Sequence, residues 1–331
     1  MTDQSIKVTI LMATYNGERY LNEQLNSIIS QEYQNWELII RDDKSSDRTL
    51  QIINEYVALD TRISQIFYGN VYGSACSNFS QLCNWAAVNK KNYIMFSDQD
   101  DIWLPQKIAA SLNILVAYER DYGSEVPLLC YSNLKFIDSL GKPISTQLAL
   151  PSKLKLGVML NENYAWGCTM ILNSAALNLA VPIPTEAVNH DYYIALVVSA
   201  IGNAHLIDQY LILYRQHTNN VSGSVDNLKI SSRVNRYIKN TEYMLKPLTQ
   251  NLQLVDYVYN RFKNALSYDQ REMMHQFLNG YYAGFIRLIY VMLKYRILKI
   301  GFGKNLVYIY TLLLLRKKVL KNLSKIRIYA N

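Results

Sequence analysis

The sequence predicts an α/β protein: a mainly parallel, twisted sheet flanked by helices, followed by a helical C-terminal region. Three observations carry this expectation. Short apolar runs alternate with helical patterns from residue 8 to residue 105, joined by brief connections. Each of the clearer runs closes on a polar turn, as buried parallel strands do at the rim of an open sheet. From residue 228 the pattern turns helical throughout.

The elements follow in order. Val8, Thr9, Ile10, Leu11, Met12 and Ala13 read as a buried strand ending at Thr14-Tyr15-Asn16-Gly17-Glu18. Leu21, Leu25, Ile28 and Ile29 then recur at helical spacing. Trp36-Glu37-Leu38-Ile39-Ile40-Arg41 is a second strand, closing on Asp42-Asp43. Asp47 is a suitable N-cap for a helix with Leu50, Ile53 and Tyr56 on one face. Residues 63–68 form a weaker strand, and Phe79, Leu82, Cys83 and Ala86 pattern the next helix. Tyr93-Ile94-Met95-Phe96 leads into Ser97-Asp98-Gln99-Asp100-Asp101-Ile102-Trp103, after which a helix is expected from Leu104-Pro105.

Beyond Lys107 the alternation loosens. Residues 128–131 read as a strand, and residues 135–144 as a hairpin turning at Gly141-Lys142-Pro143. Residues 166–172 read as a glycine-containing strand, and a helix is expected near His190-Asp191. Two further strands are expected at 204–207 and 210–214, followed by Arg215-Gln216-His217 and a polar run to Gly223.

Composition narrows the class. Half of the 331 residues are apolar, with 13 Gly and 7 Pro, which fits a globular chain and excludes extensive disorder. Four scattered cysteines without CxxC spacing offer no zinc site and fit a reducing compartment. The N-terminus runs straight into a strand without a leader's basic and apolar regions, so cytoplasmic residence is expected. The net charge of +8 hides an asymmetry: residues 233–331 hold 18 Lys/Arg against 4 Asp/Glu, and the remainder is acidic. The break suggests a boundary near 225, with a basic helical region over 226–331 facing something anionic. Residues 306–315 are apolar but make only about half of the ~20 residues that a membrane span requires. Apolar faces studded with Lys and Arg suit helices lying on an anionic membrane; a helical subdomain packed on the sheet is the plainer reading. No nucleic-acid motif accompanies the charge.

The chemistry is concentrated in the acidic stretch. Asp98, Asp100 and Asp101 lie within four residues at a strand's end and repel one another unless a cation intervenes. Hard cations such as Mg²⁺ or Mn²⁺ take oxygen ligands and often arrive with phosphates. An acidic turn capping the next helix is the bland alternative. In a parallel sheet, ligands bind beyond the strands' carboxyl ends. Thr14-Tyr15-Asn16, Asp42-Asp43 and Asp98-Gln99-Asp100 would then share one rim.

Taken in order, Ala13-Thr14-Tyr15-Asn16-Gly17, Arg41-Asp42-Asp43-Lys44-Ser45-Ser46-Asp47, Asp98-Gln99-Asp100-Asp101-Ile102-Trp103, Trp166-Gly167-Cys168-Thr169, His190-Asp191 and Tyr214-Arg215-Gln216-His217 resemble an inverting family 2 glycosyltransferase. The resemblance spans residues 7–223 and is closest to the bacterial rhamnosyltransferase-like branch, which builds O-antigen, capsule or cell-wall polysaccharide. It implies a GT-A-type nucleotide-diphospho-sugar transferase fold over residues 1–225, with a nucleotide-sugar half (1–105) and an acceptor half (106–225). It also implies a divalent metal, Mg or Mn, and a nucleotide-sugar donor: dTDP-rhamnose, or a UDP-hexose in the alternative. The acceptor would be an undecaprenyl-linked oligosaccharide at the inner face of the plasma membrane.

The resemblance also implies roles. Asp191 would be the general base, with a helix N-cap as its plainer role. Thr14, Tyr15, Asn16, Glu18, Asp43 and Asp98 would hold the nucleotide, although Glu18 also suits a helix N-terminus. Asp100, Asp98 and His217 would hold the metal. Asp101, Trp103, Trp166, Gly167, Cys168, His190 and Arg215 would border the acceptor, the sugar or the diphosphate, with core packing as the alternative for both tryptophans. No Gln-x-x-Arg-Trp motif is present, which disfavours processive synthesis. A non-catalytic scaffold of a polysaccharide-assembly complex is the competing class, and retention of Asp98, Asp100, Asp191 and His217 together argues against it.

Overall fold

A computed structural model describes residues 5–70, 73–145, 150–218 and 241–329. The first half is a strand–helix alternation: β1 (Val8–Thr14), α1 (Leu21–Ile29), β2 (Trp36–Asp42), α2 (Thr49–Leu59), β3 (Ile63–Gln65), α3 (Ala75–Val88) and β4 (Tyr93–Ser97). Then come β5 (Ile102–Trp103), α4 (Lys107–Tyr122), β6 (Leu128–Ile137), α5 (Leu156–Met159), β7 (Met170–Asn173), α6 (Ser174–Ala180), α7 (His190–Ile201) and β8 (Asn203–Arg215). Four helices follow: α8 (Leu245–Phe262), α9 (Tyr268–Ala283), α10 (Phe285–Lys294) and α11 (Phe302–Tyr329).

The strands form one sheet in the order β3-β2-β1-β4-β7-β6-β8-β5. β1 pairs in parallel with β2 and β4, and β6 with β8, while β7 runs antiparallel between β4 and β6. The short β5 is antiparallel to β8 at the edge. The sheet is therefore mainly parallel, as the alternation requires. β1 shows why its sequence is apolar throughout. Val8, Ile10 and Met12 enter one core and Leu11 the other, so both faces are buried. Each fully buried Leu or Ile of this kind contributes ~1.5–3 kcal/mol.

Turn chemistry sets the connections. Asn16 and Lys44 take left-handed backbone, at φ 46° and 64°, just after β1 and β2. Ser74 caps α3 by accepting the Ser77 N–H at 3.0 Å, and Asn173 caps α6 through the Ala176 N–H at 3.0 Å. At Gly202, between α7 and β8, an added Cβ would run into the Pro127 carbonyl, so only glycine permits that close approach.

The C-terminal helices share a core with the sheet. Leu248, Leu252, Val255 and Val258 of α8 lie in one apolar cluster with Tyr193 and Val197 of α7. A buried polar junction adds direction. Asn161 donates to the Ile297 carbonyl at 2.9 Å and accepts from Tyr308 Oη at 2.7 Å. Glu162 takes Lys304 Nζ at 2.6 Å and the Ile300 N–H at 2.9 Å. Burial raises the Glu162 carboxyl, but Lys299 and Lys304 more than offset this and hold it below the usual range.

Several local expectations need correction. Residues 166–172 are strand only from Met170: Gly167–Thr169 forms a 3₁₀ turn that feeds the short β7. Residues 204–207 and 210–214 belong to one irregular strand, β8, because its pairing with β6 continues across a register shift. β6 runs on to Ile137, its hairpin returns through an Ile137–Pro143 bridge, and α4 starts at Lys107. β3 stops at Gln65. The boundary expected near 225 and the polar run beyond Thr218 lie outside the described residues.

Glu162→Ala removes the partner of Lys304 at this half-buried junction, and the cost should fall between the ~0.2–1 kcal/mol of an exposed pair and the ~3–5 kcal/mol of a fully buried one. A urea titration should show a lower midpoint with an unchanged slope; an unchanged midpoint would contradict the packing role.

Candidate active site

The carboxyl ends of β1, β2 and β4 carry the first part of the site. Tyr15 projects an exposed ring, 57% accessible. Its main chain is occupied at both ends: the N–H donates to Gln99 Oε1 at 2.8 Å and the carbonyl accepts from Gln99 Nε2 at 2.9 Å. Thr14 is buried, its hydroxyl bonded to Asp42 and its carbonyl taken by the Asp43 N–H and by Asn78. The main chain of Thr14 and Tyr15 is thus engaged within the protein, and the Tyr15 ring is the exposed group at this turn. Asn16 Oδ1 accepts the Ser46 N–H at 2.8 Å, and Glu18 accepts the Arg48 N–H at 3.0 Å at the start of α2. Both residues join the first turn to the second. Asp43 accepts the Gly73 N–H at 2.9 Å, and burial leaves its carboxyl raised despite that bond and the Arg41 charge.

The acidic stretch divides in two. Asp100 Oδ2 lies 2.7 Å from His217 Nε2, and Tyr20 stacks on the imidazole. Asp98 is half-buried, and burial, followed by the Asp100 and Asp191 charges, pushes its carboxyl up to about 7. Asp101 points inward instead. It is buried and accepts the Arg215 N–H at 3.0 Å. Burial and the two neighbouring aspartates raise it well above the usual range.

Arg215 is 2% exposed, with its guanidinium donating to the Asp100 carbonyl at 2.8 Å, pairing with Glu23 and lying over the Tyr20 ring. It braces the acidic loop and is not aimed at a diphosphate. Trp103 is also core, its main-chain N–H donating to Ser27 Oγ at 3.0 Å and its ring under the Lys107 ammonium. The expected sugar-bordering roles of Asp101, Trp103 and Arg215 are therefore replaced by structural ones: all three are enclosed and already partnered.

Asp191 opens α7. Its Oδ2 accepts the Gly167 N–H at 3.0 Å and its Oδ1 the Tyr192 N–H at 2.6 Å. Burial lifts it to about 6 against these bonds and a contact with Asn163. Gly167 is needed for closeness: an added Cβ would meet His190 Nε2 at 2.8 Å and Asp191 Cβ at 3.3 Å. His190 stacks on Phe79 at 3.9 Å between centroids, and burial drives its pKa down to about 3, so it is a neutral packed ring. Cys168 is buried with a strongly raised thiol. Trp166 is half-buried and stacked on Tyr214 at 6.1 Å between centroids.

Sequence reasoning missed several supporting residues. Gln99 pins the Tyr15 loop, and Arg41 with Asn78 ties the β2 end to α3 at 2.9 Å. Lys107, fully buried, donates to the Cys168 carbonyl at 2.9 Å; burial lowers it to about 8. Asn251 of α8 accepts from Tyr192 Oη at 2.6 Å and donates to the Leu160 carbonyl at 2.9 Å. The backbone of Tyr192 holds Asp191, so α8 braces the carboxylate's helix. A glutamine inside an acidic run was the only local signal; the other partners are distant in sequence.

Asp98, Asp100 and His217 are residue types whose oxygen and nitrogen donors a divalent cation takes, and of the three Asp100 and His217 lie in contact at 2.7 Å. The Asp100 charge adds to burial in raising the cost of ionising Asp98, a cost that a bound cation would offset. Asp98, Asp101 and Cys168 also lie with ligand atoms within 4.8 Å, but a thiol held protonated suits a hard cation poorly.

Two substitutions test these supports. Gly167→Ala should lower kcat by at least about tenfold, since small misplacements of reacting groups can cost about a hundredfold. Asn251→Ala should lower kcat while leaving the donor KM within twofold; equal loss in both would mark a general folding defect.

Comparison with known proteins follows the same outline. Residues 9–123 match the family model of glycosyl transferase family 2. The chain is 29% identical to dTDP-rhamnosyl transferase RfbG of Shigella flexneri over 246 residues, 70% of this chain and 80% of that protein. It is 26% identical to the UDP-Glc:alpha-D-GlcNAc-diphosphoundecaprenol beta-1,3-glucosyltransferase WfgD of Escherichia coli, covering 76% of this chain and 92% of that protein. Among solved structures, TarS 1–349 of S. aureus, in complex with UDP-GlcNAc, aligns at TM-score 0.50 and 16% identity over 88% of this chain and 92% of that one. Mannosyltransferase PcManGT of Pyrobaculum calidifontis, in complex with GDP-Man and Mn²⁺, aligns at 0.51 and 14% over 96% and 84%. Residues 9–123 therefore carry a glycosyl transferase family 2 domain on a GT-A fold, the domain of an inverting glycosyltransferase.

Proposed function

We propose that this enzyme transfers one sugar from a nucleoside-diphosphate donor to a hydroxyl of a lipid-linked saccharide during bacterial polysaccharide assembly, at the inner face of the plasma membrane. The observation that carries the reading is Asp191: a carboxylate fixed by two backbone N–H groups, lifted to about 6, and close enough to Asp98 to raise it. Such a group is ionised at neutral pH yet retains basicity.

In the proposed step Asp191 accepts the proton of the acceptor hydroxyl. The freed oxygen bonds to the anomeric carbon, the bond from that carbon to the diphosphate breaks, and the nucleoside diphosphate leaves with the electron pair. Asp98, Asp100 and His217 are the residues that would hold Mg²⁺ or Mn²⁺, whose chemistry when bound is to offset charge on the diphosphate. The Tyr15 ring and Asp43 would hold the base, and Trp166 would border the sugar or acceptor.

The leading donor is dTDP-rhamnose, supported by the likeness to RfbG; a UDP-hexose is the second reading, supported by the likeness to WfgD. Calorimetric titration with dTDP and with UDP, each with Mn²⁺, separates them: tighter dTDP supports the first, tighter UDP the second. Asp191→Asn should slow transfer by about 10²–10⁴-fold with nucleotide affinity within twofold. Wild type and variant turning over alike would contradict the assignment of the base.

The pH dependence follows from the raised carboxyl. Below about 6 Asp191 is protonated and cannot accept a proton, so kcat/KM should fall about tenfold per pH unit there and level off above about 7. A profile flat to pH 4.5 would contradict this role.

A further inference from the structure

We infer that the outward faces of α10 and of the first half of α11 form a docking surface for an anionic lipid bilayer. This deepens the proposed use of a lipid-linked acceptor, but its test does not depend on the donor.

The inward faces of both helices are already satisfied. Leu288, Val291 and Met292 of α10 and Tyr308, Leu312, Leu315 and Val319 of α11 are buried in the shared core. A helix with one face in a core normally turns polar residues outward. Here the outward faces are apolar too. On α10, Ile286 is 84% exposed, and Tyr290 and Leu293 follow it on the same stripe. On α11, Phe302 is 80% exposed, and Leu306, Tyr310 and Leu313 follow at helical spacing. Nothing in the packing of the described residues requires these side chains to face outward.

Charge identifies the occupant. Residues 273–331 contain eleven Lys or Arg and no Asp or Glu. Arg287 and Lys294 are exposed beside the α10 stripe, and Lys317, Lys318 and Lys321 are exposed within about two turns of Leu313. Two of the eleven, Lys299 and Lys304, face Glu162. A cationic surface with large apolar side chains matches an interface of acidic headgroups over acyl chains. A second copy would bring like charge against like, and a nucleic acid would leave Ile286 and Phe302 uncovered. Among the described residues no helix is long and apolar enough to cross a membrane, so the contact would lie along the surface.

The test is co-sedimentation of the full chain with phosphatidylcholine vesicles, with and without phosphatidylglycerol. Wild type should bind the phosphatidylglycerol vesicles at least about tenfold more tightly, and less so as salt rises. An Ile286→Glu/Phe302→Glu/Leu306→Glu variant and a Lys317→Gln/Lys318→Gln/Lys321→Gln variant should each lose at least about tenfold in binding. Both should keep wild-type nucleotide affinity and thermal melting, which shows that they fold. The inference is overturned if wild type ignores phosphatidylglycerol, or if the glutamate variant binds as wild type does. It is also overturned if wild type is a dimer by sedimentation and the glutamate variant a monomer, which would assign the face to a second copy. Lost transfer with intact vesicle binding would instead count against the proposed function alone.

Discussion

The site rests on one electrostatic constraint: Asp98, Asp100, Asp101 and Asp191 are gathered at the rim of a single sheet, where burial and the neighbouring aspartates raise the cost of ionising Asp98 and Asp101. The fold meets that cost from one side with Arg215. Its guanidinium, buried at the end of β8, binds the Asp100 carbonyl and Glu23, while its N–H binds Asp101. An unpaired buried arginine would cost several kcal/mol, so the end of β8 and the acidic loop are obliged to meet. Lys107 holds the Cys168 carbonyl from beneath, and the adjoining Gly167 N–H binds Asp191. The outer side of the cluster, at Asp98, Asp100 and His217, is where a cation would offset the remaining charge.

This arrangement divides the aspartates by burial. Asp101 is enclosed and braces the loop, Asp98 and Asp100 face the rim, and Asp191 sits across from them on a separate helix. The C-terminal helices take part in the last of these placements. Asn251 holds Tyr192, and the Asn161–Glu162 junction anchors α11 to the segment after α5. The basic region is thus continuous with the packing of the catalytic core, while its outer face stays apolar and cationic.

Much of this was legible in the sequence. Apolar runs ending in polar turns place β1, β2 and β4 and their common rim, because a strand buried on both faces leaves little else to vary. His217 and Asp100 were paired as metal candidates by resemblance, and they lie together at 2.7 Å. What failed was the direction in which side chains point. Asp101 and Trp103 sit in the same motif as Asp98 but face inward, and a two-residue strand paired with β8 decides this. Gly167–Thr169 looked like strand but is a turn, because Gly167 must pass close to His190 and Asp191. Gln99, Lys107 and Asn251 act on groups 59–84 residues away, a separation that local spacing does not reveal.

The central claim is that Asp98, Asp100 and His217 form the cation–diphosphate anchor opposite a separate base at Asp191. Titration of Mn²⁺ followed by electron paramagnetic resonance, with nucleoside diphosphate present, tests it most directly. The account predicts one bound ion per chain, weakened at least about tenfold by Asp100→Asn and by His217→Ala, and retained in Asp191→Asn. Binding that is indifferent to Asp100 and His217, or lost with Asp191, would contradict it.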